Sequence, residues 1–153
     1  EQASSLSSKN VQVVRTIPVP QGIAALLALN FQADPETNSR IMTEAAEAIE
    51  TAEITTAVRS VQVNGVQVEE GEAIGLVNGK LTTKGRSPRE VALAALQDMH
   101  VQDCEIITVY FGESISADTA QELAAEIERE YPELEVEVID GGQPHYYYIL
   151  SAE

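Results

Sequence analysis

Few side chains in this sequence could take part in chemistry. His145 follows the segment Asp140-Gly141-Gly142-Gln143-Pro144, a tight turn after a predicted strand. Ligands usually sit in loops at strand ends in α/β sheets, but a turn that only reverses the chain needs the same glycines. His100 lies at a predicted helix end, where a cation interacts favourably with the dipole, and Cys104 has no basic neighbour to lower its pKa. We interpret His100 and Cys104 as structural, while His145 could serve either purpose.

No motif for binding nucleotide phosphates occurs in the sequence. There is neither a GxxxxGK[ST] nor a GxGxxG pattern, and no acidic array of the kind that holds magnesium on a nucleotide. The cysteine and the histidines do not have the spacing of a zinc site. The segment from Thr16 to Gly22 leads into a predicted helix N-terminus, which could hold an anion, although a helix-capping turn is the simpler explanation. Neither ATP nor a metal is therefore predicted on this chain.

The sequence is strongly acidic. It contains 25 acidic and 9 basic residues among 153, with a formal net charge of −16. A field of this sign repels phosphate backbones and attracts cationic surfaces, so nucleic acid is not an expected partner. Acidity can serve solubility alone, but ten acidic residues and only one basic residue lie between Glu113 and Asp140. We therefore expect a surface of one sign in the last third of the chain.

Features of the termini and of hydropathy predict a cytoplasmic protein. No apolar run is long enough to span a bilayer, and the opening residues EQASSLSSKN lack the basic and apolar regions of a signal peptide. The single cysteine excludes an internal disulfide. The sequence begins at Glu1, without an initiator methionine, and a predicted strand follows soon after. We therefore expect the chain to be part of a longer polypeptide.

The elements that position the polar residues start with a predicted strand from Val11 to Arg15, ended by the prolines of TIPVPQG. A short apolar helix is predicted from Gly22, and an amphipathic helix follows Asp34, the predicted N-cap. The middle of the chain is rich in β-branched residues and contains Asn64-Gly65 and Asn78-Gly79, dipeptides that favour two-residue hairpin turns. Two hairpins are therefore predicted.

The last third alternates helices and strands. Ser87 begins one predicted helix, which should run to about His100, and Ser116 begins another. The segments EIITVYFG, LEVEVID and PHYYYILSAE read as strands. Helices of this length between strands imply that the strands they connect run parallel to each other. The prediction is an α/β fold with a mixed sheet, β-hairpins and flanking helices, whose C-terminal half runs strand-helix-strand-helix-strand.

Four motifs together resemble the C-terminal domain of the bacterial fatty acid kinase A subunit, a family formerly grouped with dihydroxyacetone kinase-like (DAK) proteins. They are Thr16-Ile17-Pro18-Val19-Pro20-Gln21-Gly22 running into IAALLALN, the predicted strand TTAVRS with Arg59, the strand end Tyr110-Phe111-Gly112-Glu113, and the closing Asp140-Gly141-Gly142-Gln143-Pro144 followed by aromatic residues. The resemblance runs from about Asn10 to the end of the chain.

This resemblance implies a DegV-like fold and a division of labour. In that family an N-terminal domain binds ATP and magnesium, and a central domain links it to the C-terminal region. The C-terminal region docks a DegV-type protein that carries the fatty acid. Residues 1–50 would then be the remnant of a first DegV-like subdomain and residues 51–153 a second subdomain. The chain alone would not be an enzyme, although the full-length protein would be a kinase component of lipid metabolism and phospholipid synthesis.

Docking would use the acidic surface, which could steer and hold a basic face of the fatty-acid-binding protein. The residues expected to contact the partner are Glu122, Glu126 and Glu130 on the predicted helix that begins at Ser116, or Glu69, Glu70 and Glu72 on the hairpin. The resemblance also implies contacts with the other domains of the same kinase polypeptide. A contribution of this domain to the kinase active site is a third, separate hypothesis.

The alternative is a DegV-type module that binds a fatty acid or another small ligand. The expected cleft residues are Thr16, Gln21, Gly22, Arg59, Gly141, Gly142, Gln143 and His145. Related carriers close with a glycine- and threonine-rich segment around a histidine that contacts the ligand carboxylate, and His145 could occupy that place. Here the segment continues with Tyr146, Tyr147 and Tyr148. We expect these rings to fill space that a fatty acid would need, which favours docking.

Overall fold

The structure is a computed structural model that describes residues 8–63 and 65–153. The chain divides into two compact units, the first ending at Ile49 and the second running from Glu50 to Glu153. Within the described ranges, no helix is long and apolar enough to cross a membrane. The assignment of residues 1–50 and 51–153 to two DegV-like subdomains stays a prediction.

The first unit contains the helices α1 (Val19–Leu27) and α2 (Pro35–Glu47). Asp34 caps α2, as predicted, because its Oδ1 accepts the backbone N–H groups of Glu36 and Thr37, both at 3.0 Å. These bonds, that from Thr37 foremost, hold the pKa of the Asp34 carboxyl below its ordinary value. Two N–H groups without partners inside the helix are thereby satisfied.

Two predictions for this unit are wrong. Residues 11–15 form no strand, and Val13 is 52% exposed, because the described part of the unit offers no second strand to pair with them. The first helix begins at Val19 and not at Gly22. Pro18 is its N-cap, and Pro20 fits the first turn because an N–H group there needs no partner within the helix.

Helix α1 presents large apolar side chains outward. Its buried residues are Pro20 and Ala25, whereas Leu27 is 82% exposed and Phe31, just beyond the helix, is 92% exposed. Residues 16–33 contain no charged side chain. An exposed apolar surface of this kind is typical of a face that packs on another surface.

The second unit is built on a six-stranded mixed sheet of order β5-β4-β1-β8-β6-β7, and a separate ribbon pairs β2 with β3. Strands β6 and β7 are parallel, as predicted for strands joined by a helix, and the other neighbours are antiparallel. The strand bounds are β1 (Glu50–Thr56), β2 (Val61–Val63), β3 (Val66–Val68), β4 (Ala73–Val77), β5 (Lys80–Gly85), β6 (Ile106–Phe111), β7 (Glu135–Asp140) and β8 (Tyr146–Ala152). The last strand thus lies in the middle of the sheet.

Two helices pack on one face of this sheet. Helix α3 (Pro88–Asp98) packs on β4, β5 and β1, and α4 (Ala117–Glu130) packs on β7 and β6. Ser87 and Ser116 cap these helices, as predicted, by accepting the N–H groups three residues onward at 3.2 Å. Helix α3 ends two residues before the predicted His100, and a short 3-10 helix (Val101–Asp103) follows.

A hydrophobic core lies between these helices and the sheet. Because side chains alternate along a strand, Ile54, Tyr148 and Leu150 face this core while Glu53 lies on the opposite face. Helix α4 contributes one face to this core, whose buried members are Ala120, Leu123, Ala124 and Ile127. The three consecutive tyrosines of β8 are consequently divided between the two faces of the sheet.

The hairpins form around the predicted dipeptides. In the β4–β5 turn Asn78 and Gly79 have φ angles of 49° and 74°, the left-handed conformation that such two-residue turns require. The Oδ1 atom of Asn78 also accepts the N–H group of Thr51 at 3.1 Å, which ties the turn to β1. In the β2–β3 turn Gly65 has a φ of 84°, and Asn64 lies outside the described residues.

Burial raises the pKa of the Glu53 carboxyl, whose cross-strand partners are Leu76 and Ile149. The folded chain disfavours the ionised carboxylate, so stability is lost as the pH rises above the ordinary glutamate value of 4.5. We predict that Glu53→Gln stabilises the chain at pH 7 and that the gain shrinks towards pH 4. Urea unfolding at both pH values measures the gain, with the exposed Glu137→Gln as the control. A gain independent of pH would contradict this prediction.

Candidate functional site

Three strands of the sheet end at one edge. Strands β6 and β7 finish side by side at Phe111 and Asp140, and β1 finishes at Thr56. Strand β8 starts at the same edge, because it runs antiparallel to both β1 and β6. We call the loops that meet there, residues 57–60, 112–116 and 141–145, the carboxyl edge. In α/β sheets this is the usual position of ligands.

The loop before β8 is bonded to the end of β6. The Nε2 atom of Gln143 donates to the carbonyl oxygen of Tyr110 at 3.1 Å, and the carbonyl oxygen of Gln143 accepts the N–H group of Glu113 at 3.2 Å. The Gln143 side chain is therefore occupied with a backbone group of its own sheet. This bonding gives Gln143 a structural role.

The same loop contains two residues with positive φ. Gly142 has a φ of 56° and donates its N–H group to Oδ1 of Asp140 at 3.1 Å. His145 has a φ of 71°, a conformation that is uncommon for a residue with a Cβ atom. Its carbonyl oxygen accepts a hydrogen bond from Oγ1 of Thr55 at 2.6 Å. This bond to β1 holds His145 in place.

Gly112 permits the close approach of β6 and the loop. A Cβ atom at this position would clash with the carbonyl oxygen of Tyr146 and lie 2.7 Å from that of Gln143. The N–H group of Gly112 donates to the carbonyl oxygen of Tyr147 at 2.9 Å. Any side chain here would have to displace backbone.

A cavity of about 320 Å³ opens at the carboxyl edge. Its lining residues are Thr55, Thr56, Val58, Glu113, Ser114, His145 and Tyr147, and we call it the hydroxyl cavity. The hydroxyl groups of Thr56 and Tyr147 are hydrogen-bonded at 2.9 Å. Tyr148 is 1% exposed and belongs to the core under the helices. Tyr147 therefore forms part of the wall of this site, and Tyr148 points away from it into the core.

Glu113 lines the hydroxyl cavity, and further carboxylates surround the same edge. Glu69 and Glu70 are exposed and lie in the turn before β4, whose first residue Ala73 pairs with the end of β1. Glu72 is engaged within the chain, because it accepts the N–H group of Glu69 at 2.7 Å and pairs with Lys84 at 3.2 Å. The hydrogen bond from the N–H group of Glu69 is the main reason that the pKa of the Glu72 carboxyl lies below its ordinary value.

The acidic residues of α4 that were expected to contact the partner differ in their surroundings. Glu126 accepts from the guanidinium group of Arg89 on α3, with both contacts at 2.7 Å. Glu130 accepts from Nε2 of Gln97, also on α3, at 3.4 Å. Glu122 is exposed. The structure therefore leaves Glu122 available, while the other two carboxylates contact the neighbouring helix.

The residues expected to form a ligand cleft are not brought together in one unit. Thr16, Gln21 and Gly22 belong to the first unit, where Nε2 of Gln21 donates to the carbonyl oxygen of Ile49 at 3.4 Å. Gly141 and Gly142 are exposed in the loop before β8. Of the eight expected residues, His145 alone is among the described residues that line the hydroxyl cavity.

Arg59 does not lie on a strand, which corrects the sequence prediction. Strand β1 ends at Thr56, and Arg59 lies exposed in the bend that follows. The chain leaves the sheet at Ala57, whose N–H group bonds to the carbonyl oxygen of Glu72 at 2.9 Å. Thr55, Thr56, Val58, Glu113 and Ser114 were missed as site residues. The available signals were the adjacent threonines at one strand end and the position of Glu113 just after another.

The remaining candidates for chemistry lie elsewhere in the second unit. Cys104 is half-buried, and desolvation, followed by the charge of Glu50, raises the pKa of its thiol. A raised pKa supports the interpretation of an unreactive thiol. His100 is exposed, and its Nδ1 atom lies 4.0 Å from Oε1 of Glu50. Among the described residues, no group of histidine, cysteine and acidic side chains has the arrangement of a metal site.

Comparison with solved structures identifies the fold. A fatty-acid-binding DegV family protein from Thermus thermophilus superposes with a TM-score of 0.52, covering 88% of this chain and 56% of that chain at 14% identity. The chain therefore has a DegV-type α/β fold, as predicted.

The sequence identifies the family. Residues 1–153 match the family of C-terminal regions of proteins like the fatty acid kinase A subunit (FakA-like), and the chain belongs to this family. Protein YloV of Bacillus subtilis is 35% identical over 152 residues, which cover 99% of this chain and 28% of YloV. An uncharacterized protein of Staphylococcus haemolyticus is 35% identical over 153 residues, again 28% of its length. The resemblance found in the sequence motifs is thus confirmed, and the chain spans 28% of these relatives.

We predict that Gly112→Ala lowers the free energy of unfolding by about 1–3 kcal/mol, because the added methyl group must displace the backbone of the loop before β8. Chemical denaturation measures the loss. The control is Gly22→Ala in α1, where the added Cβ atom would lie 3.6 Å from Oγ1 of Thr16 and alanine is the better helix former. Equal effects of the two changes would contradict the role assigned to Gly112.

Proposed function

We propose that this domain docks an acyl-carrying, DegV-type fatty-acid-binding protein so that other domains of a fatty acid kinase can phosphorylate the fatty acid. The observation that carries the proposal is the concentration of charge in the second unit. Residues 50–153 contain 20 of the 25 acidic residues and six of the nine basic residues. An acidic surface of this kind attracts a basic partner and raises the rate of association.

Family membership supports the kinase part of the proposal. The chain belongs to the FakA-like C-terminal family, and its relatives are more than three times as long as the matched part. In our proposal ATP and magnesium bind to another domain of the full-length protein, and this region contributes no catalytic residue.

The carboxyl edge is the best candidate for the docking surface. Glu69 and Glu70 are exposed there, Glu113 lines the hydroxyl cavity, and Val58 at the cavity is 85% exposed. An exposed apolar side chain beside a concave site, with polar groups around it, fits the arrangement of a protein interface, whose centre is apolar and whose rim is polar. Glu126 is a poorer candidate, because its pairing with Arg89 would have to be broken first.

The exposed Glu122 on α4 gives a second acidic surface. It lies in the second turn of that helix, and the helix begins at the carboxyl edge. A partner centred on this edge could therefore reach Glu122 as well as Glu69 and Glu70. We include Glu122 in the proposed surface as a residue at its rim, where a charge mainly affects association rate and salt dependence.

Binding of a small ligand is the alternative function, and the hydroxyl cavity is the observation that favours it. Its volume of about 320 Å³ lies at the lower end of the range of ligand sites. Mass spectrometry of an organic extract of the purified chain would detect retained fatty acid. A stoichiometric amount would favour the ligand-binding function over docking.

We predict that Glu69→Lys combined with Glu70→Lys weakens binding to the fatty-acid-binding protein of the same organism by roughly tenfold at low salt, and by less at moderate salt, because screening reduces the attraction. Isothermal titration calorimetry at about 50 mM and about 300 mM salt measures both values. Glu122→Lys alone should have a smaller effect in the same direction.

The matched control is the pair Glu105→Lys and Glu133→Lys. Both residues are exposed and lie at the opposite edge of the sheet, before β6 and β7, and the pair changes the net charge by the same amount. An equal loss of affinity in this control would mean that net charge alone matters, which would contradict docking at the carboxyl edge.

A further inference from the structure

Two groups that line the hydroxyl cavity can only accept hydrogen bonds, while Ser114 and His145 can also donate. The hydroxyl hydrogen of Thr55 is already donated to the carbonyl oxygen of His145 at 2.6 Å, so Oγ1 of Thr55 can only accept. Thr56 and Tyr147 share one hydrogen between their hydroxyl groups at 2.9 Å, and one of the two hydrogens is thereby used. The carboxylate of Glu113 can only accept. A ligand with several donors can bond to Oγ1 of Thr55 and to the carboxylate of Glu113.

The charge of the lining residues favours a cation. Among the described residues that line the cavity, Glu113 is the one acidic residue, and none is a lysine or an arginine. Arg59 is the basic residue nearest in sequence to Thr55 and Thr56, the two residues of β1 that line the cavity. It is exposed and is not among the lining residues. The carboxylate of a fatty acid would meet the like charge of Glu113, and no lysine or arginine lines the cavity to balance it, which is unfavourable in a concave site. His145 is the one lining side chain that can carry a positive charge.

The apolar part of the lining suits the stem of a long basic side chain. Val58 is 85% exposed at the cavity, and lysine and arginine commonly place their methylene groups on such a surface while the charged end reaches a polar site. Lysine and arginine carry three and five N–H donors and no acceptor. This matches the acceptors of Thr55, Glu113 and the Thr56–Tyr147 pair.

We propose that the hydroxyl cavity receives a lysine or arginine side chain of the docking partner, with Glu113 as its counter-ion and Val58 as the contact for its methylene stem. This inference rests on the proposed docking function and gives that function a central contact. The cation enters a site already shaped by the bonds of Thr55 and Tyr147, so little ordering of the chain is needed on binding.

The first test needs no carrier protein. We would titrate the isotopically labelled chain with Nα-acetylarginine amide and Nα-acetyllysine amide, and with Nα-acetylcitrulline amide as the neutral match of arginine, and follow the amide signals by NMR. We expect saturable shifts at Val58, Glu113 and Ser114 with the cations and none with citrulline. In Glu113→Gln the shifts should be lost, and its own spectrum reports that it is folded. Equal shifts with citrulline, or none with either cation, would overturn the proposal.

The second test measures binding of the fatty-acid-binding protein to Glu113→Gln and to the control Glu128→Gln, an exposed residue of α4 that does not line the cavity. We expect Glu113→Gln to weaken binding by about tenfold or more and Glu128→Gln to have no more than a small effect. Unchanged binding in Glu113→Gln would overturn the role of the cavity in docking. If the parent chain does not bind this carrier, the docking function fails, while a positive first test would still support a cation site.

Discussion

The pairing of β8 with both β1 and β6 is the interaction on which the rest of the second unit depends. This strand is the last of the chain, yet it lies in the middle of the sheet. It joins the antiparallel strands β5, β4 and β1 to the parallel pair β6 and β7. Its Tyr148 and Leu150 also fill the centre of the core. Without β8, the parallel pair β6–β7 would have no backbone pairing to β1, so the two halves would be held together only through the helices.

The carboxyl edge follows from this arrangement. Because β8 enters the sheet between β1 and β6 while β7 lies on the far side of β6, the loop before β8 has to cross the end of β6 and then meets the end of β1. The hydrogen bonds of Thr55 to His145 and of Gln143 to Tyr110 fix that crossing, and Gly112 supplies the space. The hydroxyl cavity is thus formed by groups that the fold already holds in place. Its acidic surroundings come from loops that the same topology brings together.

Local signals in the sequence predicted local structure well. The caps at Asp34, Ser87 and Ser116 and the turn at Asn78-Gly79 each depend on the chemistry of a few neighbouring residues. The α/β fold was predicted from the order of strands and helices, and the family from motifs at several positions in the chain, which matching of the whole sequence confirmed.

Features that depend on distant partners were not predicted. A strand at 11–15 had the right composition but has no strand to pair with in the described part of its unit, and Arg59 leaves the sheet because β1 ends early. The pairing of Glu126 with Arg89 needs two helices side by side, which the periodicity of one helix cannot indicate. The hydroxyl cavity combines residues from strands far apart in sequence. Only His145 among its members stood out, because it follows a glycine-rich turn.

The central claim is that an acidic surface of this domain docks a basic acyl-carrying protein. Its most direct test is the dissociation constant of the parent chain with the DegV-type fatty-acid-binding protein of the same organism, measured by calorimetry over a series of salt concentrations. We expect a one-to-one complex whose affinity falls steadily as salt increases. No complex at low salt, or an affinity that does not change with salt, would contradict it.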